Sequence, residues 1–241
     1  MRYGIFSDVH SNLEALQEAA KWYNHQNIDK YIFLGDIVGY GANPCETISL
    51  LKELNPTSIA GNHDWVSIGK FDINYFNPYA KEAVLWTERM LKKEQREFLH
   101  TLPLIYEEQS FICVHGSLFE PQDFNYILAP QDALLNFKIM KKKICFIGHS
   151  HCAEAYILKN DKLFYSKDIR IDLKSENKYI INVGSVGQPR DKDNRLCICI
   201  YDDSIDVVIF NRLEYNIKKA ANKILNVGLP SILANRLYTG Y

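Results

Sequence analysis

No CxxC pair occurs among the six cysteines at positions 45, 113, 145, 152, 197 and 199, which argues against a thiolate metal site or a dithiol redox motif. Cys113, Cys145, Cys197 and Cys199 fall inside apolar strand-like runs, where a free thiol behaves as a small hydrophobe. No stretch approaches the ~18 apolar residues that span a bilayer. Asp8 breaks the N-terminal apolar run after a few residues, so that segment does not read as a secretory leader. Neither sign of charge dominates: 28 Lys and Arg oppose 29 Asp and Glu, for a formal net charge of −1. That balance supplies no strong attraction to a nucleic-acid backbone or an anionic membrane. The run Lys141-Lys142-Lys143 precedes an apolar strand and reads as a solvated strand entrance. A reduced, cytoplasmic setting with no membrane partner is expected.

The remainder is ordinary globular sequence, 47% apolar and 24% charged. Its 241 residues fit one large domain or two small ones. With no linker, repeat or low-complexity tract, one domain over residues 1–241 is the simplest expectation. Short apolar runs rich in Ile, Val, Phe and Tyr recur, each ending in polar or glycine-containing text: "YGIFSD", "YIFLGD", "TSIAGNHD", "FICVHG", "ICFIGHSH" and "YIINVGS". Ser11-Asn12-Leu13-Glu14 has the spacing of a capping box before a helix with Leu13, Leu16, Ala20 and Tyr23 on one face. Pro44 and Pro78 occupy first helical positions, the second helix running to about Leu91. The spacing from Asp8 to Asp36 to His63 predicts βαβ units with parallel strands. Later text predicts hairpins turning at Asn160-Asp161 and Asp202-Asp203, then a helix from Glu214 to about Leu225. The sum is an α/β fold with two sheets packed together.

Every polar cluster follows the C-terminal end of a predicted strand, the edge where open α/β sheets bind ligands. The clusters are Asp8 and His10; Asp36 in "GDIVGYG"; Asn62, His63 and Asp64 in "GNHD"; His115 in "VHG"; His149 and His151 in "GHSH". Taken singly, each has a plain alternative. A carboxylate after a strand is a helix cap or a turn residue, and a histidine there is a hydrogen-bonded structural group. Five clusters at one position relative to their strands are harder to explain separately. Imidazole, carboxylate and amide oxygen form a mixed N/O set suited to Mn, Fe or Zn, and the set is too large for one ion.

In this order and at strand ends, "DVH", "GD…G", "GNHD", "VHG" and "GHSH" resemble the calcineurin-like metallophosphoesterase superfamily. "NVGSVGQPRD" (182–191) is similar to its bacterial phosphodiesterase and diadenosine tetraphosphatase-like branch. The resemblance implies a four-layer αββα sandwich of two mixed sheets flanked by helices. It also implies two divalent ions, Mn before Fe or Zn. Asp8, His10 and His151 would hold one, and Asn62, His115 and His149 the other, with Asp36 bridging. Asp8 and His10, two residues apart, would face one ion from an extended strand end.

The reaction implied is attack on phosphorus by a metal-bridging hydroxide, with His63 as general acid to the leaving oxygen. Asp64 would orient His63, or serve as a turn carboxylate. The superfamily's protein phosphatases carry "GDxVDRG"; here Gly39 and Tyr40 replace its aspartate and phosphate-gripping arginine. Arg190 or Arg195 would supply that grip, unless each is a surface arginine beside Asp191 and Asp193. Asn12 would touch substrate or be solvated on its helix. Among the aromatics of residues 65–110, Trp65 and Tyr75 are candidates to stack on a nucleobase. The substrate expected is a small phosphorylated molecule or nucleotide, a diester or phosphoanhydride. The alternatives are a phosphomonoesterase or protein phosphatase, and a non-catalytic scaffold like the retromer subunit of this fold. Oligomeric state is left open by the sequence.

Overall fold

In the computed structural model, which describes residues 1–241, the first three strands are joined by helices as the motif spacing predicts. Strand β1 (Arg2–Phe6) runs parallel to β2 (Lys30–Phe33), and β2 to the two-residue β3 (Thr57–Ser58). The connections are α1 (Leu13–Tyr23) and α2 (Pro44–Leu54). Then follow α3 (Asn62–Val66), α4 (Pro78–Met90), α5 (Lys93–Thr101), β4 (Ile105–Glu107), β5 (Phe111–Val114), α6 (Pro130–Ile139) and β6 (Ile144–Ile147). The rest comprises β7 (Ala153–Lys159), β8 (Lys162–Ser166), β9 (Arg170–Asp172), β10 (Lys178–Val183), β11 (Leu196–Asp202), β12 (Val207–Leu213), α7 (Ile217–Asn226) and α8 (Ser231–Thr239).

Two six-stranded mixed sheets result, ordered β3-β2-β1-β11-β12-β9 and β4-β5-β6-β10-β7-β8. Strand periodicity decides which layer each side chain joins. Ile5, Ile32, Cys197 and Cys199 meet Phe111, Phe146, Tyr179 and Ile181 between the sheets. Their chain neighbours Phe6, Phe33, Ile198 and Ile200 face the other way, onto Leu16, Ile48 and Leu51 of α1 and α2. On the second sheet, Ile112, Cys145 and Ile180 pack under Ala133 and Phe137 of α6. Fully burying each such large side chain contributes about 1.5–3 kcal/mol, so the inter-sheet layer and the helix-facing layer of the first sheet, with 20 and 19 buried residues, are the main sources of cohesion. The order is helices, sheet, sheet, helix, the α/β sandwich expected. No helix is long and apolar enough to cross a membrane.

Some local expectations need correction. Asn12, not Ser11, caps α1, its amide oxygen accepting from Ala15 N at 3.2 Å, while Ser11 has φ +56°. Glu14 is therefore no capping-box partner; its Oε1 forms ion pairs with Lys223 Nζ at 2.7 Å and Lys219 Nζ at 3.2 Å, fastening α7 to α1. Asn160 and Asp161 do form the two-residue hairpin turn, both at positive φ. The β11–β12 turn instead spans residues 203–206, and the tail helix starts at Ile217 because Asn216 caps it.

Candidate metal centre

The parallel strands β1, β2, β5 and β6 deliver their C-terminal loops to one edge shared by both sheets, joined there by the loop after β3. From the first sheet come Asp8, His10 and Asp36, with Asn62, His63 and Asp64 in the first turn of α3; from the second come His115, His149 and His151. All nine are buried. The expectation that Asp8 and His10 share an extended strand end is not met. β1 stops at Phe6, and Asp8 and His10 take φ of +54° and +48°. Left-handed residues turn the chain so that both side chains reach one point. Asp36, His149 and His151 are left-handed too, at +60°, +69° and +62°. Each such residue costs about 1–2 kcal/mol, and the neighbouring loops hold it there. Asp8 N donates to Gly35 O and His10 N to Asp36 O, both at 3.0 Å.

The segment 182–191 is the brace between the two sheets' loops. Ser185 Oγ and Gly187 N both donate to Asp8 O, at 2.8 and 2.9 Å, and Asn182 Nδ2 donates to Gly148 O at 2.6 Å. Gln188 O receives His151 Nδ1 at 2.6 Å.

That last bond fixes a tautomer. His10 Nδ1 lies 3.1 Å from Val38 O, and His115 Nδ1 2.7 Å from Leu34 O. A carbonyl only accepts, so all three rings carry a proton on Nδ1 and turn Nε2 inward. Inside, His10 Nε2 is 3.7 Å from Asp8 Oδ1 and 3.6 Å from Asp36 Oδ2; His115 Nε2 is 3.3 Å from Asp36 Oδ2; His151 Nε2 is 3.3 Å from Asp8 Oδ1. Asp8 Oδ1, Asn62 Oδ1, His115 Nε2 and His149 Nε2 are buried with no hydrogen-bond partner. The donors group as Asp8-His10-His151, Asp36-His115-His149 and His10-Asp36-His63, with atoms within 4.8 Å of one another in each.

The electrostatics agree. Burial opposes ionising Asp8 and Asp36, yet the surrounding imidazoles hold both carboxyls below their usual range. Burial also works against a charged His115, but Asp36 and Asp8 outweigh it and lift its pKa to about 9. His63 and His149, with burial dominant, are pushed down and stay neutral. Two buried carboxylates facing inward-turned ring nitrogens and an amide oxygen stabilise a cation, as the raised His115 shows, and the residues fit a divalent metal.

Asp64 takes the turn-carboxylate alternative. Its Oδ2 accepts from Asp36 N at 2.8 Å and Gly61 N at 3.0 Å, its Oδ1 from Ile37 N at 2.9 Å and Val38 N at 3.3 Å. The contact expected with the His63 ring is not made, and His63 Nδ1 has no partner. Rings locate His63 instead: Tyr40 and Phe76 have centroids 4.4 and 4.5 Å away. Gly39, at φ +92°, is required beneath it, since a Cβ there would stand 2.4 Å from His63 Nδ1. A Cβ on Gly61 would likewise lie 2.0 Å from Asp36 Oδ1.

Outside the centre opens a cavity of about 250 Å³ bordered by Asn62, His63 and His149 on the inner side and by aromatic rings beyond. Arg190 reaches toward it, its Nη2 donating to Gln188 Oε1 at 2.8 Å and its guanidinium 5.5 Å from the centroid of Tyr40. Arg195 is on the surface, bound by both carboxylate oxygens of Asp193, and Asp191 pairs with Arg212. Asn12 is engaged at both ends of its amide, donating to Gly187 O at 2.8 Å. Trp65 is off the cavity, edge-on to Phe124, whereas Tyr75 borders it. Tyr126 is absent from the sequence reading yet stacks on His149, centroids 3.7 Å apart and planes 15° apart. It sits in a stretch without periodic pattern, and only its aromatic type between "VHG" and α6 could have flagged it.

The family model for calcineurin-like phosphoesterases matches residues 1–210. An uncharacterized protein of Methanocaldococcus jannaschii is 40% identical over 241 residues, covering 98% of this chain and 97% of that protein. Among solved structures, a metallophosphoesterase from Sphaerobacter thermophilus is 37% identical with a TM-score of 0.85, covering 100% of this chain and 99% of that one. A hypothetical protein from Pyrococcus horikoshii shares the fold at 20% identity, with a TM-score of 0.81 and coverage of 100% and 98%.

Proposed function

The chain belongs to the calcineurin-like phosphoesterase family, and we propose that it hydrolyses phosphodiesters or nucleotide phosphoanhydrides at a dinuclear centre. The observation that carries this reading is the set of buried donors without partners, Asp8 Oδ1, Asn62 Oδ1, His115 Nε2 and His149 Nε2, converging from loops of both sheets beside an open cavity. Asp8, His10 and His151 would hold one divalent ion, Asn62, His115 and His149 a second, and Asp36 would lie between them; Mn is the first choice. When bound, two such ions lower the pKa of water and neutralise phosphoryl oxygens.

The chain's own groups supply the rest. His63 borders the cavity beside the donors, and in this reading its imidazole, neutral in the free protein, takes up a proton as the anionic substrate binds and gives it to the departing oxygen, an effect typically worth about 10²–10⁴-fold. Tyr40 and Phe76 hold the ring at the edge of the cavity. Arg190, fixed by Gln188 and Tyr40, in this reading donates from its guanidinium to a phosphoryl oxygen, from the opposite end of the sequence to the arginine of "GDxVDRG". Asp64 is a positioning residue, setting the Asp36 loop through three main-chain bonds and its own turn through a fourth, from Gly61.

The test is initial rates on bis-p-nitrophenyl phosphate and p-nitrophenyl phosphate with Mn²⁺, for wild type and His63→Ala. Diester cleavage that falls at least a hundredfold in the variant, with metal content unchanged, supports the proposal. Preference for the monoester moves the activity to phosphatase, and no turnover of either by the metal-loaded protein points to a scaffold.

A further inference from the structure

We propose that the cavity beside the metal centre takes a phosphodiester whose single phosphate carries one flat aromatic ring, the part that a nucleoside monophosphate or an aryl phosphate keeps as product. The proposal rests on the hydrolase reading and narrows its substrate. Phe71, Tyr75, Phe76 and Tyr126 form the outer wall, with His63 and His149 on the inner side. Tyr75 is 78% exposed, and its one ring partner is Phe71, at 5.3 Å and 28°. Burial does not explain a large ring held out in this way. Its backbone is set by the short turn Ile73–Tyr75, whose cap Asp72 accepts from Asn74 N at 2.8 Å, and its ring leans on Phe71. Tyr126 gives one face to His149 and remains 46% exposed beside the same cavity. Two partly solvated rings around one opening form a platform on which a flat ring can stack.

Size and charge limit the phosphate part. The cavity of about 250 Å³ lies at or below the small end of ligand sites. No lysine or arginine borders it, Asp123 does, and the nearby cation is Arg190, stacked on Tyr40. One phosphate can lie between the metal donors and Arg190. Further phosphates would meet Asp123 in place of a cation, which disfavours polyphosphate chains.

Calorimetry on the Mn²⁺-loaded full chain tests this, with AMP, phenyl phosphate, ribose 5-phosphate and ATP as probes. AMP and phenyl phosphate are expected to bind about tenfold tighter than ribose 5-phosphate, with ATP no tighter than AMP. Tyr75→Ala should remove most of the ring's advantage, and Tyr75→Phe should keep it. AMP ahead of phenyl phosphate identifies a nucleobase, and the reverse order a simple aryl group. Equal affinity with and without a ring, an advantage untouched by Tyr75→Ala, or ATP as the tightest ligand overturns the proposal. Ring-selective binding by a protein that cleaves neither p-nitrophenyl ester removes the hydrolase reading alone. Cleavage of those esters without ring selectivity removes the ring site alone.

Discussion

The Nε2 atoms of His10 and His151 stand 3.0 Å apart while the Nδ1 of each is committed to a main-chain carbonyl. Two lone pairs at that distance repel unless a cation lies between them. Manganese at about 100 times its dissociation constant should stabilise the fold by about 2.7 kcal/mol, or raise the melting temperature by roughly 5–10 °C. Chelator should reverse the shift and His151→Ala should remove most of it. Coincident melting curves with and without the ion would contradict the metal centre.

Gly39→Ala places a methyl against His63 Nδ1 on a backbone at φ +92°. A loss of about 1–3 kcal/mol in denaturant titration is expected, with a larger proportional fall in kcat than in metal content. An active variant of wild-type stability would show that the Tyr40 loop moves freely under the imidazole.

Asp64→Asn tests positioning by charge-assisted bonds. Because each carboxylate oxygen accepts two main-chain N–H groups, either amide orientation sets an NH₂ against two donors. The variant should lose about 1–3 kcal/mol of stability. Its turnover should fall while the pH profile keeps its shape. A profile displaced along the pH axis would instead restore Asp64 as a partner of His63.

Arg190→Lys keeps the charge and loses both the fork and the stack on Tyr40. The KM for a diester should rise several-fold, and Arg190→Ala should lower kcat/KM by about 10–100-fold. Arg195→Ala, cut only from Asp193, should match wild type within about twofold. Equal losses at both positions would remove the distinction between them.

Glu14 is held below its ordinary value of 4.5: burial pushes it up, but hydrogen bonds from Lys223 and Lys219 outweigh that. A depressed folded pKa contributes stability above the unfolded pKa and loses it as pH falls through the folded one. Acidification below about 4.5 should therefore loosen the α1–α7 contact. Glu14→Gln should flatten the acid limb of the melting-temperature profile, and an unchanged limb would mean that other carboxylates govern it.

The donors are legible in the sequence because each lies within a few residues after a short strand, and strand ends are local features. The alternation that sends Cys199 between the sheets and Ile200 toward the helices is local too. What escapes local reading depends on contacts between distant loops. Asp64 binds the amide of Asp36, 28 residues earlier, and no helical or strand period encodes that. Arg190 and Arg195 are equivalent as text, and only the path after β10 turns one toward Tyr40 and the other to the surface. Tyr126 acquires a place only once α6 has packed on the second sheet.

Asp8, His10, Asp36, His149 and His151 all occupy a left-handed backbone that glycine adopts without strain. At five buried positions the chain thus keeps residues less comfortable than the simplest replacement. For each, the glycine variant should be more stable than the alanine variant, although both lose the donor. Selection for chemistry and selection for robustness therefore pull in opposite directions along this one edge. A descendant drifting toward glycine at these sites would retain the sandwich while its catalytic past faded from the sequence.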